Sequence, residues 1–522
     1  MSGAPAEPAR PPLWARLFRL PDQPGLPIQV RLRAVVVQAI LDGRLGPGTP
    51  LPSSRDLAQA LGLSRNTVTA AYEQLVAEGF LDARPRRGVF VAADALSQRP
   101  DLRAAVQFNP FRDAGTAANG RPPDWRGRVL RSQAGLSTLA KPADWRGYPY
   151  QFVYGTHDAE LFPTDDFREC CMRSLSRARL PQWTPDLETV DVEELTEQIR
   201  QRLLPQRGVY ALADEILITV GSQHACYLLA EALFDEGSCV GFEEPGHPHA
   251  RNSFSVRNPQ MVDIAVDGDG LVVDAMPSVD YVFVTPSHQS PTTHTLSLER
   301  RHWLLRKAEL QDFVIIEDDY ESENLYAGAP MPALKSLDTC GRVVYIGSLS
   351  KSLSPALRLG YIVASRELIA ELRALRHAQV RHPSAFLQHA YALFLSLGHH
   401  ESHARRVNQT MQERLARVAD ALVTYLPDFQ FTLPQGGASV WVQGPDWLDS
   451  GELADVARGH GVLIEAGRVF YHRPPYPCPQ FRLRLSSIAG AQIDAGVRAL
   501  ALAVQDLAVA RGVRRPGARL VH

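Results

Sequence analysis

Lysine is nearly absent from this chain, with four among 55 basic residues in 522. Its basic chemistry is therefore carried by arginine, and any lysine in an unusual setting asks for a reason. Cysteine is also sparse. The six present (Cys170, Cys171, Cys226, Cys239, Cys340 and Cys478) show no metal-ligand spacing, which argues against a metal-bound or disulfide-stapled scaffold and for reduced thiols. No apolar run approaches the roughly 18 residues needed to cross a bilayer, so no membrane partner is expected. The opening "MSGAPAEPARPP" lacks the charged and apolar regions of a secretory signal, and the expected location is cytoplasmic. Net charge is small as well, at −2.

That small net charge conceals an asymmetry. Up to Ala92 there are eleven arginines against seven acids, whereas the remainder carries 44 basic and 50 acidic residues. A basic module on an acidic body points to a polyanionic partner for the module alone. Its length allows two or three domains.

Three helical patterns fill the basic module. The first has Ile28, Leu32, Val35, Val36, Ala39 and Ile40 at helical spacing. The second opens at "SSRD", with Ser53 as cap and Asp56 in the first turn, buries Leu57, Ala58 and Leu61, and stops at Gly62. The third opens on Ser64 and ends at Gly79, with Val68, Ala71, Tyr72, Leu75 and Val76 on one face. Two short helices joined by a tight turn follow the helix-turn-helix plan, with Arg65, Asn66, Thr67 and Thr69 facing outward at the end that enters a major groove. "FLDARPRRGVFVA" then reads as strand, basic turn and strand, a wing with Arg84, Arg86 and Arg87 against the backbone of double-stranded DNA. The stretch Leu51 to Leu75 resembles the winged-helix signature of the GntR family, which adds Arg55 and Ser64 to the expected DNA-binding set.

The module is assigned to residues 26–92 and a Pro-, Arg- and Gly-rich linker to 93–150. "DWRG" occurs twice in that linker, too short a repeat to build a solenoid. Residues 151–515 form the large domain. From Glu215 onward seven β-rich runs ("ILITV", "SCVGF", "MVDIAV", "YVFV", "FVIIE", "RVVYIG" and "LGYIV") alternate with helical patterns. The expectation is an α/β domain with a sheet of about seven strands between helices and a smaller C-terminal α+β subdomain.

Polar groups collect where these runs end. "FVIIEDDY" closes on three acids and a tyrosine, and "YIGSLSKSLSPALRLG" sets Lys351 among serines with Arg358 seven residues on. "TVGSQHA" puts Gly221, Ser222 and Gln223 at the start of a helix. A lysine, a phosphate cup and a carboxylate suit pyridoxal phosphate. That cofactor needs a Schiff-base lysine, donors for its phosphate and an acid against its pyridine nitrogen.

The order resembles the fold-type-I aminotransferases. By that resemblance Lys351 is the aldimine lysine, Asp318 pairs with the pyridine nitrogen and Tyr320 with the phenolic oxygen. Arg358, Ser348, Ser350, Ser222 and Gln223 hold the phosphate. Arg484 in "FRLRLSS" matches the arginine that grips a ligand carboxylate, with Arg482 as the second candidate. Both halves together resemble the MocR subfamily of bacterial transcription regulators, also through "EDDYESE", "TPSHQSPT" and "SKSLSPALRLGY". The resemblance implies an operator-binding, head-to-tail homodimer whose large domain senses a small amine or amino acid through the bound cofactor. Two alternatives stand beside it: a working aminotransferase carrying a DNA-binding appendage, and a regulator for which the cofactor itself is the signal.

The chain departs from the pattern at three places. "EPGH" puts His247 where an aromatic ring usually stacks on the cofactor. "SPTT" replaces "NPTG", so Ser290 stands where an asparagine would contact the phenolic oxygen, with His288 or Gln289 as stand-ins. "GHHESH" sets His399, His400 and His403 at helical spacing without a fourth ligand in register, so no metal is expected and the helix reads as solvated.

Overall fold

Capping explains the first helices. Ser53 Oγ accepts the Asp56 N–H at 3.2 Å ahead of Ser54–Leu61, and that helix ends at Gly62 with φ +64, a left-handed turn that glycine adopts without penalty. Ser64 Oγ accepts the Thr67 N–H at 3.1 Å ahead of Arg65–Ala77. With Ile28–Leu41 these are α1, α2 and α3. They bury Leu32, Val36, Leu57, Val68 and Leu75 in one core. Strands β1 (Leu81–Arg84) and β2 (Gly88–Val91) pair antiparallel, with Leu81 opposite Val91, and add both side chains to that core.

The computed structural model describes residues 26–85, 87–95, 123–129, 141–155, 158–186, 190–323, 331–349 and 353–513, with seven further isolated positions. The chain divides into two compact units, Met1–Arg131 and Ser132–His522. Lys351, Ser350 and Arg86 lie outside the described residues.

The second unit is built on a mixed eight-stranded sheet. In chain order its strands are β3 (Ile216–Thr219), β4 (Cys239–Glu244), β5 (Gln260–Asp267), β6 (Gly270–Leu271), β7 (Tyr281–Val284), β8 (Val314–Asp318), β9 (Val343–Ser348) and β10 (Gly360–Val363). Across the sheet the order is β3-β10-β9-β8-β7-β4-β5-β6. All seven expected runs are strands, and β6 is a short hairpin return from β5. β9, β8, β7, β4 and β5 run parallel, while β10 lies antiparallel between β3 and β9. The central strands are buried along most of their length, as strands covered on both faces must be.

A second, four-stranded antiparallel sheet forms the C-terminal subdomain. It contains β11 (Gln430–Phe431), β12 (Ser439–Gln443), β13 (Glu465–Ala466) and β14 (Gln480–Arg484), ordered β11-β12-β14-β13. Its core takes Val440, Val442, Phe481 and Leu483 from the strands and Val418, Leu422, Val497 and Leu500 from two long helices. Tyr150–Gln151 pairs with Val462–Leu463, so this end of the expected linker is hydrogen-bonded into the large unit.

One expectation is overturned. The helix His399–Tyr425 leaves His399 half-buried and turns the other two histidines inward: His400 and His403 are 2% and 1% exposed and pack on the ring of Phe394. His400 Nε2 lies 3.0 Å from Glu323 Oε1. The helical spacing holds, but packing against Ala385–Ser396 covers the face that carries the rings. Among the described residues no group of His, Cys, Asp and Glu is arranged to hold a metal ion.

Candidate functional site

The antiparallel insertion of β10 assembles the site. Gly360 lies opposite Thr219 of β3 on one side and Ser348 of β9 on the other. One row across the sheet therefore brings together the "GSQ" turn, the end of the serine-rich run and the residues beside Arg358. Asp318 lies opposite Ile346, two residues inward from Ser348.

Glycine makes this junction possible. A Cβ on Gly360 would lie 3.0 Å from Gly221 Cα and 3.0 Å from the Gly347 carbonyl. A Cβ on Gly221, whose φ is +78, would lie 3.0 Å from Arg358 Nη2. Arg358 itself adopts φ +52 and donates from Nη2 to the Val220 carbonyl at 3.0 Å. Its guanidinium is thus held against the start of α4 (Ser222–Leu233), a twelve-residue helix whose first N–H groups have no acceptor within the helix. Ser222 is half-buried there and Gln223 exposed. Ser348 is half-buried at the end of β9. A guanidinium, a helix N-terminus and serine hydroxyls around glycines that keep Cβ atoms out are a donor set that fits a phosphate group.

The acids beyond it are buried and mutually arranged. Asp318 is 4% exposed at the end of β8. Its neighbour Asp319 is 2% exposed. It accepts from Arg207 Nε at 2.8 Å, Ser287 Oγ at 2.6 Å and the Tyr345 hydroxyl at 2.9 Å. Burial would raise the Asp319 pKa, but Arg207 and these hydrogen bonds outweigh it and hold the carboxylate ionised. Glu243 on β4 accepts from the Thr285 N–H and hydroxyl and from Gln289 Nε2. Burial nevertheless pushes its carboxyl up to about 7, with the charge of Asp318 a lesser contribution. Gln289, a candidate stand-in for the missing asparagine, spends its amide on Glu243 and the Pro245 carbonyl.

Tyr320 is 5% exposed, and burial, reinforced by Glu321, pushes its phenol well above the ordinary value and keeps the proton on. Ser290, Glu321, Arg482 and Arg484 are its polar neighbours, so four of the residues singled out in the sequence converge on one place. His247 is the N-cap of Pro248–Phe254, where Nδ1 accepts the Ala250 N–H at 3.2 Å, and its ring meets that of Tyr320 at 6.3 Å between centroids. An accepting Nδ1 carries no proton, so the ring is neutral when so bonded.

Arg484 is already engaged. Its Nη2 pairs with Glu321, and Nε donates to Ser486 Oγ at 3.2 Å. Burial alone would lower the guanidinium's pKa, but Glu321 outweighs it. Arg482 is paired with Glu465 at 2.6 Å. Of these acids, Glu321 stands inside the quoted "EDDYESE", yet nothing local in that string marks its partner.

The other lysines have visible duties. Lys307 Nζ donates to the Val273 and Met276 carbonyls at 2.9 and 2.8 Å, Lys335 pairs with Asp338 at 3.2 Å, and Lys141 lies over the Trp145 ring at 4.4 Å.

In the first unit, Arg55, Ser64, Arg65, Asn66, Arg84 and Arg87 are exposed, and Thr67 is half-buried. Thr67 and Ser64 are tied to each other at 2.8 Å between hydroxyl oxygens, and Arg84 stacks over Phe90 at 4.6 Å.

A winged helix joined to a cofactor-type α/β domain defines a DNA-binding regulator built around an enzyme fold. The family described as "Bacterial regulatory proteins, gntR family" matches residues 29–91, and "Aminotransferase class I and II" matches residues 186–500. The chain is 41% identical to the HTH-type transcriptional regulator TauR of Rhodobacter capsulatus over 92% of its own length and 96% of the relative's. It is 32% identical to the probable rhizopine catabolism regulatory protein MocR of Rhizobium meliloti, over 86% and 88% of the two chains. Among solved structures it is similar to LysN, the α-aminoadipate aminotransferase of Thermus thermophilus complexed with N-(5'-phosphopyridoxyl)-L-leucine. That likeness has a TM-score of 0.68 and 26% identity and covers 74% of this chain and 99% of that one. The chain belongs to the MocR subfamily of GntR-family transcriptional regulators.

Proposed function

We propose that this DNA-binding regulator senses a primary amine or amino acid through pyridoxal phosphate held in its large domain. The observation that carries the reading is the row Thr219–Gly360–Ser348, which brings a phosphate-type donor set to the sheet edge beside a buried aspartate. When bound, the cofactor supplies a carbonyl group that condenses with amines. Lys351 is the residue we assign to covalent attachment, because it stands in "SKSLSPALRLGY" where the family pattern carries its aldimine lysine. Arg358, Ser222 and Ser348, with Ser350 and Gln223, would grip the phosphate. Asp318 would face the pyridine nitrogen and Tyr320 the phenolic oxygen, with His247 over the ring. In the other unit Arg55, Ser64, Arg65, Asn66, Thr67, Arg84, Arg86 and Arg87 would meet operator DNA, and a second copy of the chain would bind a second half-site.

The test is an absorbance titration of the cofactor-loaded chain with primary amines and amino acids, paired with operator binding in the presence and absence of each. A band shift with a compound that also alters DNA affinity is the expected outcome. Turnover of that compound with a keto acid would favour the aminotransferase alternative. A band indifferent to all amines would favour the cofactor as the signal.

A further inference from the structure

Strand β14 carries two buried arginines on one face, two residues apart, and both are paired with glutamates. The two pairs are built differently. Glu465 is the cross-strand neighbour of Arg482 in the same sheet, its second oxygen accepts the Tyr154 N–H at 2.6 Å, and the guanidinium stacks on Phe470 at 4.6 Å. That pair is part of the subdomain's own frame. Glu321 instead reaches Arg484 from the loop after β8, next to Tyr320, and its backbone sits at φ +58, in the left-handed region that costs a residue with a side chain. Its second oxygen accepts the Ala438 N–H at 3.1 Å, beside Gly437, where an added Cβ would lie 3.4 Å from it. A glutamate brought from another element in a disfavoured conformation is the replaceable partner of the two.

We infer that Glu321 is an internal competitor for the anionic group of the ligand. It holds Arg484 in the ligand-free chain and yields it to an incoming carboxylate. A guanidinium this buried cannot stand uncompensated, so anion binding becomes an exchange of one carboxylate for another and its net gain is small. Glu321 is then a specificity-determining residue, which mutes the preference that Arg484 would otherwise impose for acids over neutral amines. The inference rests on the reading that an amine ligand binds beside the cofactor.

The experiment titrates the full-length, cofactor-loaded chain with matched linear pairs, from glycine and ethanolamine to 5-aminopentanoate and 5-aminopentanol. The visible band and calorimetry are both followed. In the unmodified chain the acid and alcohol of the responding pair should bind within about tenfold of each other. Glu321→Gln should tighten the acid by at least about tenfold and leave the alcohol unchanged. Glu321→Asp, with a shorter reach, should shift the acid in the same direction by less, and it serves if the glutamine variant does not fold. An acid preference above about 100-fold in the unmodified chain, or variants that bind the acid no tighter, would overturn the assignment. A loaded chain that responds to none of the pairs removes the amine-sensing reading itself, a result distinct from binding that ignores residue 321.

Discussion

The two units treat their functional side chains in opposite ways. In the winged helix the arginines stand in solvent on a small core, and hydrogen bonds at Ser53 and Ser64 fix the helices that carry them. In the large unit Asp318, Tyr320 and Arg484 are buried to within a few per cent. The difference follows from the partner. A duplex presents a continuous array of phosphates, so exposed, hydrated arginines suffice and each contact is modest and salt-dependent. A small molecule offers few groups, and the protein must enclose them. Its charges are then buried in advance and need internal partners until the ligand arrives. Glu321 beside Arg484 and Arg207 beside Asp319 are buried ion pairs in which each charge compensates the other.

This contrast can be broken in graded ways. Lys351→Ala should abolish the visible band of the bound cofactor while leaving the melting transition and basal DNA binding in place. A variant that fails to fold would make the lysine structural and the site assignment wrong. Next in size is a pH effect confined to the large unit. Burial pushes the Glu243 carboxyl from its usual 4.5 up to about 7. The folded chain thus keeps a proton that the unfolded chain releases. The associated stabilisation is complete below about 4.5 and is lost as pH rises through 7, amounting to about 3 kcal/mol. Glu243→Gln should flatten that part of the stability curve, read as melting temperature against pH. An unchanged slope would assign the effect to Glu317, which burial raises to about 7 as well. The smallest effect is expected at the surface. Arg65→Ala should weaken operator binding roughly tenfold and, if it contacts a phosphate, lower the salt slope by about one, with no change in the cofactor band. A shifted band would mean that the two units do not divide the labour as described.

Much of the frame was legible because it is local. The helix caps, the glycine stops and the seven apolar runs are set by neighbours a few residues apart, and each forms where its pattern lies. The strand-end motifs were legible for the same reason, since a polar turn after an apolar run is visible in the string. The histidines show the limit of that reading. Helical spacing put His400 and His403 on one face, but only packing against a neighbouring helix shows that this face is inside.

The sequence by itself therefore determined the elements, their caps and which residue types stand at their ends. Tertiary structure decided who meets whom. Gly360 joins Thr219 to Ser348 only because β10 inserts antiparallel between β3 and β9, and no local signal specifies that register. Arg484 meets Glu321 across 163 residues. The physical reason is that hydrogen-bonded turns and periodic burial are short-range, whereas strand order and charge pairing are chosen by the global packing that buries them.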